Sequence, residues 1–516
     1  METQEQGMMT TKQAWGFVPT GYFMEGLPFV MIIIASTVMY KNFGFTNAQI
    51  TMYTGSLMLP WGLKPLWSWL VDVTKTKRWW IYTMEILMAL SYIGVVFSIQ
   101  TSHGQTDGHA MLFLKSSIAV FWAMAFFSST HDISVDGFYL VSLSNAQQSY
   151  FVGMQRLFYQ LAKFFVTAFI LILVGKESEK YGMAHAWTVA LIITGIVTLV
   201  IGIYHAFFLP KKEVRVNTQS EMKNVIREWP ILVAIILLML YKYLPFPKVM
   251  VIIGFVLLIW RVIAITRKSK AAKMVGAEKS SGVFAEFFQL EGIWMCILFI
   301  FTFRLGENFV TKVVTLFLLD PRSEGGLGLT TTYIGYSYTF VLIAILLAGS
   351  LGGLYIYKKG IKQVLWIMYI LVNVPHLIYI YMAYTQPKSI VTIIVCQMVE
   401  NFAVTFSLAA FTMVLFYTVR NSRFKTSHFA FLSAINIVAL MLPSMYSGPL
   451  QMLMGYKHFF LFVQIMMLPG LAVLPFLKID PEFGKSTKKD NSIWILLSVI
   501  VVATILIIII NQVILK

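Results

Sequence analysis

Two cysteines in 516 residues, Cys296 and Cys396, leave no basis for a disulfide framework, and neither has neighbours that would complete a metal site. Charge is also scarce. Asp, Glu, Lys and Arg together make up 12 % of the chain, far below the quarter or so typical of soluble domains, which excludes a soluble globular protein of this length. Acidic residues are the scarcer sign, 23 against 40 basic ones, for a net charge of +17. That excess does not mark a nucleic-acid partner, because the Lys and Arg sit in short loops between apolar runs, as the bias of cations toward the cytoplasmic side predicts. The alternating pattern of an outer-membrane barrel is missing. So are Walker and Rossmann glycine patterns in a strand-to-helix context, which argues against a nucleotide-driven pump. Residues 1–13 show no small-residue cleavage pattern, so the first apolar run is expected to act as its own insertion signal.

What the chain has is apolar length. Hydrophobic residues make up 58 % and the mean hydropathy is +0.74. About fifteen runs are long enough to span a bilayer, and runs of about 20 apolar residues cross as helices because the backbone must satisfy itself in lipid. Six come first, at 14–40, 47–70, 79–100, 110–143, 150–175 and 186–209. A basic linker (211–228) leads to a short hairpin, 229–245 and 247–266, turning at Pro245–Phe246–Pro247. A second basic linker precedes six more runs: 291–319, 332–357, 361–384, 389–419, 424–449 and 457–477. One run of mostly Ile, Leu and Val, 493–513, ends the chain. With the N-terminus in the cytoplasm, inside loops hold about 23 Lys and Arg and outside loops about 8, so that orientation is expected. The plan is all-α and polytopic: a six-helix bundle in 1–210, basic linkers and an extra hairpin in 211–280, a second six-helix bundle in 281–480, and an extra helix in 481–516. Six plus six with a basic central linker is the plan of the major facilitator fold, whose substrate site lies between the halves near the midplane.

Charge inside such helices is costly and usually marks an ion or substrate path. Asp132 and Asp136 are four apart and share a helix face. Two anions so close favour one holding a proton unless a cation intervenes, which is what a symporter exchanges. Asp132 is a candidate for coupling. Asp136, nearer the cytoplasmic end, is expected to pair with Arg78 or Lys64 at an inner gate. Arg304 and Glu307 can pair along one face. The alternative is that Arg304 meets an anionic group of the cargo while Glu307 takes a proton. Glu25 lies at a depth comparable to Glu307 in the counterpart first span. Glu400, with Gln397 and Asn401, suits hydrogen bonding to sugar hydroxyls and amides. Lys163, with Gln160 one turn away, needs a partner, either Asp132 or an anionic cargo group. Asp72, with Lys75, Lys77 and Arg78, reads as a gating loop. His376 falls in the ninth span, expected at the periphery. His131 and Asp136 fit a His-x4-Asp pattern of some acyltransferases, but residues five apart on a helix point about 140° from each other. No catalytic residues, cofactor or metal are expected.

Several segments resemble one transporter group. Leu59-Pro60-Trp61-Gly62-Leu63-Lys64-Pro65-Leu66-Trp67-Ser68-Trp69-Leu70-Val71-Asp72 is similar to the second-helix signature of muropeptide permeases of the AmpG type and related acetyl-CoA transporters. Ser129-Thr130-His131-Asp132-Ile133-Ser134-Val135-Asp136-Gly137 resembles that group's fourth helix. Gly21 through Pro28 resembles the first, and Arg304-Leu305-Gly306-Glu307 the seventh. Glu400-Asn401-Phe402 with Ala409-Ala410-Phe411, and then Lys425 through Ala434, resemble the tenth and eleventh. The chain departs from the group at His131, where Gln is usual, and at Glu25, where the muropeptide permeases commonly have a small residue. The resemblance implies a proton-coupled symporter in the bacterial inner membrane, working by alternating access; the sequence gives no sign of oligomerisation, and a monomer is expected. It would import an anhydro-muropeptide or a related sugar-peptide. From the buried charges themselves, Glu25, Asp132 and Glu307 are expected to be the proton-coupling residues. Substrate would be held by Gln160, Lys163, Arg304, Gln397, Glu400 and Asn401, and gating would fall to Lys64, Asp72, Arg78 and Asp136. Other group members imply a second possibility, an anionic cargo such as acetyl-CoA or a siderophore. A membrane-embedded acyl- or glycosyltransferase is the remaining alternative.

Overall fold

The computed structural model describes residues 9–64, 67–68, 71, 75–102, 108–143, 151, 155, 158–210, scattered positions between 233 and 264, 286–422 and 425–485. Among these every regular element is helical. Among the described residues ten helices are long and apolar enough to cross a membrane. The first, α1, runs Thr11–Asn42. It opens with a capping box in which Thr10 accepts from the Gln13 amide and Gln13 accepts from the Thr10 amide. Pro28 removes a donor inside it, and just beyond, Met31–Ala35 forms a π-helical stretch. Gly44 (φ 80°) turns the chain, and a second capping box, Thr46 with Gln49, starts α2, Asn47–Ser56. The expected span 47–70 is interrupted here. Helix resumes at Leu59–Leu63 with Pro60 in its first turn, where its missing N–H costs least.

The remaining elements follow the expected order. They are α3, Lys77–Ser102; α4, Gly108–Ser142; α5, Phe158–Tyr181; and α6, Met183–Phe208. Then come α7, Ile293–Leu319; α8, Thr331–Lys359; α9, Ile361–Thr385; and α10, Ile390–Val419. The last run, Lys425–Ile465, is turned at Gly455 (φ 71°, ψ 164°), which separates α11 (425–454) from α12 (456–476). A residue with a Cβ is strained at that φ, so glycine makes the reversal possible. Gly182 does the same between α5 and α6 with φ 83° and ψ 163°. The sequence hairpin 229–266 lies largely, and the last run 493–513 wholly, outside the described residues.

Within the first bundle α3 packs on α4 and α6, and α5 on α6. Within the second, α10 packs on α8 and α9. Among the described residues the bundles meet where α2 packs on α11, α5 on α8, and α7 on both α1 and α2. Replacing each helix by its counterpart six places on turns the first contact into the second. The joins have the same chemistry. A Cβ on Gly175 (α5) would overlap Thr332 at the start of α8, and one on Gly448 (α11) would overlap Asn47 and Thr51 at the start of α2. Gly175 precedes the turn glycine Gly182 by seven residues, and Gly448 precedes Gly455 by seven. The twofold repeat is thus written into side-chain size. It fixes where the bundles can touch, and so where a cavity remains.

Candidate functional site

A cavity of about 190 Å³ lies between the bundles, walled by α1, α5, α7, α8, α9 and α10. Three of its walls are irregular at this depth. α1 carries its π stretch, and α5 carries another, Phe165–Ile170, packed against the first. α7 breaks at Arg304 (φ −113°, ψ 21°), so Leu305–Leu319 begins a fresh helix. Irregular backbone inside a membrane protein is tolerated where protein or water can satisfy it, and such breaks frame transporter sites.

Glu307 sits in the first turn of that restarted helix, where the helix dipole favours an anion. Arg304 grips it: Nε and Nη2 each lie 2.7 Å from Glu307 Oε2. Glu307 lines the cavity, whereas Arg304 is outside its lining, turned toward the Phe411 ring at 5.9 Å. Across the cavity Glu400 is buried. Its Oε2 accepts from the Tyr379 hydroxyl at 2.9 Å and the Asn401 amide at 2.8 Å. The ninth helix is not peripheral in this respect. Pro375 tightens Val374–His376 into a 3₁₀ turn, and buried His376 brings Nε2 to 3.6 Å from Glu400 Oε1. Gln397 and Lys163 also line the cavity. Gln160, one turn before Lys163, is buried but is not part of the lining.

A second cluster occupies the first bundle alone. Trp61 Nε1 donates to Asp132 Oδ2 at 3.0 Å, and Lys64 Nζ stands 3.6 Å from the same oxygen. Asp136 accepts from the Tyr22 hydroxyl at 3.0 Å, and Gln155 donates to that hydroxyl at 2.8 Å. Glu25 lies within electrostatic reach of Asp136, Asp132 and Lys64, with its Oε1 buried and unbonded. Despite its comparable depth, Glu25 does not share a void with Glu307. Glu25 belongs to this cluster, outside the lining of the cavity that Glu307 shares with Glu400. Arg78 is not placed at Asp136. Its Nη2 donates to the Ala206 carbonyl, and its guanidinium lies 6.0 Å from the Tyr82 ring. Asp72 lies outside the described residues. His131 and Asp136 share the continuous helix α4 and have separate partners, Glu85 and Tyr22.

Sequence reasoning passed over three groups. Glu85 (α3) is fully buried and bonded by His205 Nδ1 at 2.7 Å and His131 Nε2 at 3.0 Å, while His205 Nε2 meets Thr20 Oγ1 at 2.8 Å. This ties α1, α3, α4 and α6 together. Lys312 (α7) lines the cavity and is buried. Asp320, at the end of α7, meets Lys41 and the Tyr456 hydroxyl, and accepts from Asn47 Nδ2 at 2.7 Å. Asn47 also reaches Gln451 at 2.8 Å, so this knot closes the end of the molecule where α1 finishes and α2 begins. Glu85 and Lys312 carried an available signal, since both are charges inside expected spans. Asp320 did not, being at a span end where charge is unremarkable.

No family model matches the chain. It is 25 % identical to a putative transporter AmpG 4 of Rickettsia felis over 463 residues, covering 88 % of this chain and 94 % of the relative. It is 26 % identical to the anhydromuropeptide permease of Escherichia coli K12 over 190 residues, 37 % of each chain. Among solved structures, a peptide transporter POT in complex with sulfate superposes with a TM-score of 0.60 at 9 % identity, covering 92 % of this chain and 98 % of the other. The xylose transporter XylE from E. coli superposes with a TM-score of 0.56 at 10 % identity, covering 90 % and 98 %. These relatives and neighbours are transporters, not enzymes. The chain is therefore a multi-pass membrane protein with the major facilitator fold of secondary transporters, and along most of its length it resembles the AmpG-type transporters.

Proposed function

We propose that this secondary transporter is a proton-coupled symporter that carries an anhydromuropeptide, or a related sugar-peptide, into the cell across the bacterial inner membrane. The observation that carries this reading is the cavity between the bundles. Its lining brings Glu307 and Glu400 together with Gln397, Asn401 and Lys163. Amides and a carboxylate suit sugar hydroxyls and peptide amides, and a cation suits a peptide carboxylate. The relatives support the cargo class by name only.

Proton coupling rests on carboxylates that would be costly to carry through the cycle charged and unpaired. In this reading Glu400 and Glu307 of the cavity, and Glu25 and Asp132 of the first-bundle cluster, are the groups available to hold the proton. With the N-terminus in the cytoplasm, the Asp320 knot faces outside, and the structure is the state closed on that side. At about 190 Å³ the cavity is below the roughly 300–1,000 Å³ of ordinary ligand pockets, so the bundles must rock apart to admit a sugar-peptide. Each bundle, 1–210 and 281–480, moves as a body.

Uptake of a radiolabelled anhydromuropeptide into proteoliposomes, with and without an inward proton gradient, tests the reading. Accumulation that collapses when a protonophore is added supports it. Accumulation that persists refutes coupling, and preferential competition by acetyl-CoA or a siderophore refutes the cargo.

A further inference from the structure

One cation of the cavity has no anion among the described residues. Lys312 is 2 % exposed, and its Nζ donates to the Ile33 carbonyl at 2.6 Å and to Thr37 Oγ1 at 3.1 Å. Both acceptors are neutral. Among the described residues no carboxylate pairs with it: Glu307 is held by Arg304, and Glu400 by Tyr379 and Asn401. Both acceptors also belong to the other bundle. Ile33 lies in the π stretch of α1, and Thr37 follows it by one turn. The α1–α7 contact therefore has an ammonium at its centre, facing a cavity large enough for a small polar group. An ammonium bonded only to neutral oxygens inside a membrane protein is poorly compensated, and a carboxylate is its stronger partner.

We infer that Lys312 is the anion subsite of the cavity and, when the cavity is empty, a latch between the bundles. A cargo carboxylate entering beside it replaces the Ile33 carbonyl and the Thr37 hydroxyl, and α7 is then released from α1. Recognition of charge and unlocking of the bundles are one event at one nitrogen. This deepens the transport reading and rests on it for the cargo.

The test has two arms. Spin labels at Thr46→Cys and Ser323→Cys, exposed sites in opposite bundles at the closed end, go into a Cys296→Ser, Cys396→Ser background. Without cargo, the Lys312→Gln protein is expected to show longer interlabel distances than the protein with Lys312, and Lys312→Arg to stay short. In the second arm, binding of an anhydromuropeptide is compared with binding of its fully esterified form. The acid is expected to weaken by ~10-fold or more in Lys312→Gln while the ester changes by less than ~2-fold. Unchanged cargo-free distances in Lys312→Gln overturn the latch. An unchanged acid-to-ester preference overturns the subsite. If the protein with Lys312 binds neither compound, the muropeptide reading fails, and the cargo-free distances still decide the latch.

Discussion

Glu400 shows how the environment of a side chain defines its task. Two donors converge on one of its oxygens, and the other is left to His376 at a distance too long for a hydrogen bond. If it is the proton carrier, Glu400→Gln removes the exchangeable proton and keeps the shape. Uptake driven by a proton gradient is expected to fall by at least ~10-fold, while exchange of cargo across the membrane without a gradient survives; flux assays in proteoliposomes separate the two. Glu85 calls for a different expectation. Its carboxylate is the shared acceptor for two buried imidazoles, so Glu85→Ala strands both in the first bundle. Breaking a buried charged network by removing one partner typically costs about 3–5 kcal/mol, and a clear fall in thermal unfolding temperature in detergent is expected. Glu400, Gln397 and Asn401 were legible in the sequence because they cluster in one apolar run. Lys312 carried the signal of a charge inside an apolar run, Thr311-Lys312-Val313-Val314, but its partner is a carbonyl 279 residues away, which no local pattern reveals.

Helix existence was legible from apolar length and loop charge, and most boundaries agree within a few residues. Helix irregularity was not. The span expected at 47–70 gives way between Ser56 and Leu59, and two π stretches and the Arg304 break interrupt runs that look uniformly helical in hydropathy. Such defects arise from tertiary partners that satisfy freed backbone groups, so composition does not encode them. The break in α7 has a consequence for Arg304. Its guanidinium is spent on Glu307, so Arg304→Gln is expected to act through Glu307, leaving an uncompensated carboxylate at the cavity wall. The double variant Arg304→Gln, Glu307→Gln should therefore bind anionic cargo more tightly than Arg304→Gln alone. Isothermal titration with an anhydromuropeptide checks the order; equal affinities would show that Arg304 touches cargo itself.

For the whole molecule, the six-plus-six plan could be read from the spacing of apolar runs, but which helices meet across the middle could not. That depends on residue size at Gly175 and Gly448, where α8 and α2 come too close for any side chain. Enlarging either glycine is expected to favour the conformation open at the Asp320 end. In Gly175→Leu or Gly448→Leu, spin labels at Thr46→Cys and Ser323→Cys should stand farther apart than in the parent protein. An unchanged distance would mean that this end closes without help from the two glycines.

The eight-residue stretch from a contact glycine to a reversal glycine occurs once per half, at 175–182 and at 448–455. Both flanks of the closed end are therefore cut to one pattern of glycines, and a fault planted in one leaf is expected to be felt in the other.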